Sequence, residues 1–272
     1  MQQTLGVPVV MAFSGNDPTG GAGIQADIEA IASQGCHVAP VITALTVQDT
    51  TDLTGVAALG PDLIIQQARA VLEDMPVRAF KIGLIGSVEI AQALHSILVD
   101  YPDIPVILDP VLRAGGGAEI ADHRIIDAMT NLLVPLATII TPNLHEAMRL
   151  VPGADTPEAA AMALLEFGSE FVLVTGTHAN THQVINTLYG NRRALERFKW
   201  ERLQGSYHGS GCTLASAIAG LLAQGQEPFT ACYEAQEYTW QALRHGYRVG
   251  MGQQLPNRLF WANEEEPETE LA

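Results

Sequence analysis

The sequence predicts an α/β fold in which a mainly parallel central sheet carries helices on both faces and takes a small antiparallel addition at one edge. Three observations predict it. Short apolar runs without polar alternation recur along the chain, "VPVVMAF", "HVAPVITAL", "RAFKIGLI", "PVILD", "ATIIT" and "FVLVT", and read as buried strands. Segments of helical period lie between them, which makes the chain a succession of βαβ units. One stretch, "QVINTLYGNRRALERFKW", departs from this rhythm: two strand-like runs flank "GNRR", a hairpin turn with Gly190 and Asn191.

Taken in order, Ile24, Ile28 and Ile31 share one face of the first helix, Ile64, Ala68 and Val71 of the second, and Ile90, Leu94 and Ile97 of the third. Ser87 caps the third; Thr156 with Pro157 opens a later helix that Gly168 ends. A further helix follows "GSGCT", with Leu214, Ile218 and Leu221 on one face and Gly225 at its end. The 272 residues contain no internal repeat and no linker rich in Pro, Gly or Ser, so residues 1–262 are expected to form one domain. Such a chain buries about three quarters of its unfolded surface. Residues 263–272, with five acids, are expected to be a solvated, disordered tail.

Composition narrows the function. Hydrophobic residues make up 47 % and charged residues 16 %, which excludes a disordered or fibrous chain, and no apolar run approaches the roughly 20 residues that span a bilayer. The first residues show no basic region and no small-residue cleavage site, so a cytoplasmic protein is expected. A net charge of −16 with only two lysines, Lys81 and Lys199, argues against nucleic acid. Any phosphate held here must be held by backbone N–H groups, arginine or metal ions. Cys36, Cys212 and Cys232 give neither a disulfide framework nor a zinc site; Cys36 and Cys232 are expected in the core.

In such sheets ligands bind beyond the carboxyl ends of the strands, and the residues that carry chemistry fall there. After the first strand, "SGNDPTGGAGIQAD" supplies glycines that let backbone approach a small ligand. Gly21 to Ala26 also matches G-x-G-x-x-A, but six residues separate it from the strand, which argues against a dinucleotide site. Asp27 lies on the inward face of its helix and needs a ligand, a metal or a neighbouring backbone amide. Gln48 offers an amide that both donates and accepts, suited to the edge of a heterocycle, or is an exposed loop residue. Asp109 ends "PVILDP", and Glu146 stands three residues after Asn143, the spacing of a capping box. Both carboxylates could also face a hydrated Mg²⁺. Thr175-Gly176-Thr177 is small and polar, suited to lying against a nucleotide. Gly209, Gly211 and Cys212 lead into a helix, so the N–H groups from Gly209 to Thr213 form an anion hole.

His208 beside Cys212 leaves a Cys/His acyl-transfer site open. No G-x-S-x-G elbow, P-loop or protein-kinase signature occurs. What remains is phosphoryl transfer without a P-loop, which needs positioning and charge stabilisation more than covalent chemistry. Six motifs, "SGNDPTGGAGIQAD", "ITALTVQDT", "KIGLIGS", "LDPVLRAGGG", "TPNLHEA" and "SYHGSGCTLASA", in this order, closely resemble the bacterial hydroxymethylpyrimidine/phosphomethylpyrimidine kinases of thiamine biosynthesis, members of the ribokinase-like superfamily. The resemblance implies ATP and Mg²⁺, with 4-amino-5-hydroxymethyl-2-methylpyrimidine phosphorylated to its monophosphate and then to the diphosphate.

Carried over residue by residue, the resemblance places Gly15, Asp27, Gln48 and the Thr46 backbone around the pyrimidine, with Leu84 packing on the ring. It gives Asp109 and Glu146 to Mg²⁺ and phosphate through water, and Gly209, Gly211 and Thr213 to the anion hole. Thr175 and Gly176 fall on the nucleotide side. Cys212 takes the position where the sugar kinases of the superfamily carry an aspartate base, and its helix N-terminus is expected to lower its pKa. Many family members have a lysine where this chain has Thr175. No lysine is available here, and Arg113, beside Gly115-Gly116-Gly117, is the candidate for that charge. A homodimer is also implied. The alternatives are a pyridoxine or pyridoxal kinase of the same fold and a non-catalytic nucleotide sensor, against which Asp109, Glu146 and Cys212 together argue.

Overall fold

Along β1, Val9–Asn16, successive side chains turn to opposite sides: Val9, Met11 and Phe13 enter one apolar core, Val10 and Ala12 the other. A strand buried on both faces requires helices on both. The computed structural model describes residues 6–113, 117, 119–177 and 181–263. The remaining strands are β2 (His37–Gln48), β3 (Leu53–Ala58), β4 (Val77–Ile82), β5 (Val106–Leu108), β6 (Ile139–Ile140), β7 (Phe171–Val174), β8 (Gln183–Gly190) and β9 (Arg193–Glu201). They form one sheet in the order β3-β2-β1-β4-β5-β6-β7-β8-β9. The run from β2 to β7 is parallel; β3, β8 and β9 are paired antiparallel at its two edges.

The helices are α1 (Gly23–Ser33), α2 (Pro61–Asp74), α3 (Val88–Leu98), α4 (His123–Ala128), α5 (Leu144–Leu150), α6 (Pro157–Glu166), α7 (Ser210–Ala223) and α8 (Pro228–Arg244). Ile64 of α2, Leu94 of α3 and Leu164 of α6 join the core on one face of the sheet; Ile31 of α1, Ile218 of α7 and Cys232 of α8 join the core on the other. Local chemistry sets the helix ends. Ser87 Oγ accepts from the Ile90 N–H at 3.3 Å, and Thr156 Oγ1 from the Ala159 N–H at 3.1 Å with Pro157 in the first turn. Gly168 and Gly225 follow their helices at φ of 119° and 89°, the left-handed region that a glycine enters without a Cβ penalty.

The structure corrects four expectations. A second antiparallel element exists: β3 pairs with β2 at the opposite edge, and its small, mostly exposed residues "LTGVAA" carry little strand signal. Ile28 is 40 % exposed, because the buried stripe of α1 runs through Ile24, Asp27 and Ile31. The residues of the hairpin turn are Asn191 and Arg192, both with positive φ, whereas Gly190 ends β8, where a Cβ would press on Phe171 and Leu195. Finally, α7 shows no single apolar face: every residue from Thr213 to Ala223 is buried, since the sheet, α1 and α8 surround it.

Cys36 and Cys232 are buried as expected. Asn263 closes a short turn, Phe260–Asn263, and the rest of the acidic tail lies outside the described residues. Among the described residues no helix is long and apolar enough to cross a membrane. The strand order reverses at β1, between β2 and β4. That switch point places a crevice outside the carboxyl ends of the strands.

Candidate active site

A cavity of about 670 Å³ occupies the crevice. One wall is the loop from β1 to α1. Asp17 shapes it as an Asx turn: Oδ1 accepts from the Thr19 N–H at 2.9 Å and Oδ2 from the Ala22 N–H at 2.8 Å. Gly23 has φ 61° and lies so close to the Gly15 carbonyl that a side chain would collide with it. Gly15 in turn leaves the space that Leu84 fills, since a Cβ there would sit 2.7 Å from Leu84 Cδ2. Thr46 braces the same wall, donating from Oγ1 to the Asn16 carbonyl at 2.9 Å. Gln48, on the cavity wall, puts its amide nitrogen 2.7 Å from His208 Nε2.

His208 belongs to this wall and not to a Cys/His pair. Its Nε2 lies 2.7 Å from Asp17 Oδ2, the side chains are 6 % and 4 % exposed, and no Cys212–His208 hydrogen bond occurs among the described residues. Burial alone would raise the Asp17 carboxyl; the His208 contact and the Thr19 amide outweigh it and hold Asp17 below the usual carboxylate range.

The facing wall is the start of α7. Gly209 has φ 83°, and a Cβ on it would collide with the Gly21 carbonyl, so the loop between β1 and α1 and the helix start can meet only through glycine. The amides of Ser210, Gly211 and Cys212 open the helix and have no acceptor within it. Thr213 is different. Its N–H and its Oγ1 both donate to the Gly209 carbonyl, at 2.9 and 2.8 Å, and the residue is fully buried, so it stands behind the turn and not on the cavity surface.

Beneath the floor lies a lysine the sequence reading left out. Lys81 of β4 is fully buried, with Nζ 2.7 Å from Asp27 Oδ1 and 3.9 Å from Asp109 Oδ2. Burial works against its charge, yet Asp27 first, then Cys212 and Asp109, outweigh it and hold the ammonium above the ordinary lysine range. Asp27 is also fully buried, with Ser216 Oγ donating to it at 2.7 Å; the partner its inward face required is therefore Lys81, under the cavity rather than in it. The signal was in the sequence: a lysine inside the apolar run "RAFKIGLI" has to be paired.

Cys212 departs from expectation in its electrostatics. Burial foremost, with the Asp109 carboxylate adding to it, pushes the thiol up to about 12, against the lowering expected from a helix N-terminus alone. Asp109 itself is raised, mainly by burial, with Lys81 opposing. Glu146 completes the capping box: Oε2 accepts from the Asn143 N–H at 2.9 Å, and Asn143 Oδ1 accepts from the Glu146 N–H at 3.0 Å. It also faces the cavity, and burial followed by Asp109 raises it to about 8. The cap and the site are the same carboxyl.

The remaining residues sit as follows. Thr175 lines the cavity. Gly176 is buried, donates its N–H to Asn186 Oδ1 at 2.9 Å and lies against the Ile185 carbonyl, so its amide is already engaged. Arg113 is on the cavity rim and half-exposed, bound to Glu119 at 2.5 Å; Glu119 also holds Arg149 at 2.7 Å. Gly115 and Gly116 lie outside the described residues. The cavity is also lined by the apolar side chains Val184, Trp200, Trp240 and Leu243, which sequence reasoning did not assign.

The family model described as phosphomethylpyrimidine kinase matches residues 17–257. This chain belongs to that family. The hydroxymethylpyrimidine/phosphomethylpyrimidine kinase of Synechococcus elongatus is 36 % identical over 92 % of the chain and 96 % of its own length. The thiamine biosynthesis bifunctional protein ThiED of Geobacter sulfurreducens is 35 % identical over 94 % of the chain, which spans about half, 53 %, of that protein. Among solved structures, an ADP complex of Bacillus subtilis pyridoxal kinase superimposes with a TM-score of 0.87 at 26 % identity, covering 94 % of this chain and 99 % of that one.

Set against the phosphomethylpyrimidine kinase motifs, the structure brings Gly15, Thr46, Gln48, Leu84, Asp109, Glu146, Thr175, Gly209, Gly211 and Cys212 to one cavity, with Arg113 at its rim. Asp27, Thr213 and Gly176 stand behind its walls. A hydrated Mg²⁺ suits the acids. Asp109 Oδ2 is buried without a hydrogen-bond partner, and no group of three or more His, Cys, Asp or Glu side chains able to hold an ion by themselves occurs among the described residues. An ion that keeps waters and bridges to phosphate needs only one or two carboxylates.

Proposed function

We propose that this member of the phosphomethylpyrimidine kinase family uses ATP to phosphorylate 4-amino-5-hydroxymethyl-2-methylpyrimidine on its hydroxymethyl group, and then phosphorylates the monophosphate to the diphosphate. The observation that carries the proposal is the collision-close approach of the Gly21 carbonyl to Gly209, which sets the substrate-side loop directly against the amides of the α7 start. An acceptor hydroxyl and a transferring phosphate held on those two walls would be neighbours. Phosphoryl transfer needs that proximity above all.

In this reading Gly15, Leu84 and Gln48 hold the pyrimidine, with Gln48 beside His208, whose Nε2 meets the Asp17 carboxylate. The amides of Ser210 and Gly211 receive charge on the transferring group, and Lys81 contributes positive charge from below. Thr175 and the apolar lining residues Trp200 and Trp240 take the nucleotide. Asp109 and Glu146 would hold Mg²⁺, which when bound neutralises phosphate charge. Cys212 is a thiol at neutral pH, so accepting the hydroxyl proton falls to its small thiolate fraction, and positioning carries more of the rate. Arg113, tied to Glu119, would have to leave that partner to reach a phosphate. A homodimer is part of the proposal and is read from sedimentation.

Purified protein with ATP and Mg²⁺ is offered the hydroxymethylpyrimidine, its monophosphate and pyridoxal in parallel. ADP is expected from the first two, with kcat/KM for pyridoxal lower by at least about tenfold. The close superposition on a pyridoxal kinase favours a second reading, a pyridoxal kinase, and ADP formed from pyridoxal alone would establish it.

A further inference from the structure

Arg258, in the segment after α8, is only 2 % exposed and reaches both walls of the site at once. Its Nε donates to Thr213 Oγ1 at 2.9 Å; Nη1 donates to the Gly20 carbonyl at 3.4 Å and to Glu29 Oε2 at 3.0 Å; Nη2 donates to the Gly21 carbonyl. The planar guanidinium thus joins α7, α1 and the loop between β1 and α1 with one rigid fork of donors.

From these contacts we infer that Arg258 is a positioning residue for phosphoryl transfer, acting through Thr213 and through the Gly20–Gly21 carbonyls; the inference rests on the kinase reading above. Thr213 Oγ1 accepts from Arg258, which leaves its own hydrogen for the Gly209 carbonyl at 2.8 Å. A second donor to that carbonyl, the Thr213 N–H, lies at 2.9 Å. In a trans peptide the C=O and N–H point in opposite directions, so holding the Gly209 carbonyl toward Thr213 aims the Ser210 N–H out of the helix, where Ser210 lines the cavity. The same guanidinium fixes the Gly21 carbonyl, the atom that abuts Gly209. Arg258 therefore sets both the direction of the anion-binding amide and the gap between it and the substrate loop. Nothing in its local sequence, "QQLPNRLFW", announces this.

The test compares wild type, Arg258→Gln, Arg258→Lys, Thr213→Val and the Arg258→Gln/Thr213→Val double variant. Arg258→Gln is expected to lower kcat about 10- to 100-fold while the KM values for the pyrimidine and ATP move less than about threefold. Lysine, with no fork, does not restore kcat. In the double variant the losses do not add, because both act on one path. Should Arg258→Gln not fold, Thr213→Val, which keeps the buried charge and Glu29 pair, is expected to show the same kcat loss alone. A readout free of turnover is the shift of the Ser210 and Gly211 amides in ¹⁵N NMR on titration with inorganic phosphate, expected to need about tenfold more phosphate in the Arg258 or Thr213 variants. Wild type without ATP-dependent activity refutes the kinase reading alone. A folded Arg258→Gln or Thr213→Val protein with wild-type kcat and wild-type phosphate titration overturns the positioning role, as does full additivity in the double variant.

Discussion

Cys212 is where local and tertiary effects oppose each other. Its place at the start of α7 favours the thiolate, but desolvation of the half-buried side chain on the cavity wall, with the nearby Asp109 carboxylate, favours the thiol and pushes it up to about 12. Below that value the thiolate fraction rises tenfold for each pH unit. Alkylation of Cys212 by iodoacetamide, read by mass spectrometry, is therefore expected to be slow at pH 7 and to quicken about tenfold per unit up to about pH 10. A rate that levels off below pH 8 would show a lowered pKa instead. Lys81 offers the converse lesson. An unpaired lysine inside the apolar run "RAFKIGLI" would be too costly to bury, and Asp27 supplies the partner.

At the scale of elements, α5 opens on a capping box whose glutamate also faces the cavity. Burial, then the Asp109 carboxylate, pushes the Glu146 carboxyl from its ordinary value of 4.5 up to about 8 in the folded chain. Between those values the unfolded state ionises while the folded state keeps its proton, so this group's contribution to stability falls as pH rises from about 4.5 to 8. Glu146→Gln removes that loss, and its amide oxygen can still accept the Asn143 N–H. Urea unfolding should show the variant more stable than wild type at pH 8.5 by on the order of 1–3 kcal/mol, and little different at pH 4. The same difference at both pH values would contradict a raised carboxyl. The β8–β9 hairpin makes a separate prediction. Asn191 and Arg192 have φ of 51° and 56°, the pair of left-handed residues that a two-residue turn requires. Arginine pays for that conformation where glycine does not, so Arg192→Gly is expected to raise unfolding stability by about 1 kcal/mol, with the urea m-value unchanged. A loss of stability would mean that Arg192 makes a contact outweighing its backbone strain.

For the whole molecule, the layered α/β architecture was legible because buried parallel strands leave unbroken apolar runs, and the motif residues were legible because they cluster at strand ends. Gly15, Gln48, Asp109, Glu146 and Cys212 are far apart in sequence, yet the topology gathers them at one crevice. Features that depend on long-range approach were not legible. The Asp17–His208 contact spans 191 residues, and the Arg258 contacts to Gly20 and Gly21 span 238 and 237, with no periodicity or motif to link them. Edge strand β3 escaped because its small, exposed residues bury little, and the buried flank of α7 was underestimated because a helix enclosed on every side has no amphipathic stripe. In the proposed reading both phosphoryl transfers take place in this one cavity. The most direct test of that reading is the stoichiometry of ADP released per hydroxymethylpyrimidine consumed, with Mg²⁺ present and products resolved by ³¹P NMR. Two ADP per pyrimidine are expected, with the monophosphate appearing first and the diphosphate after it. No ADP above the rate seen without the pyrimidine would contradict the reading.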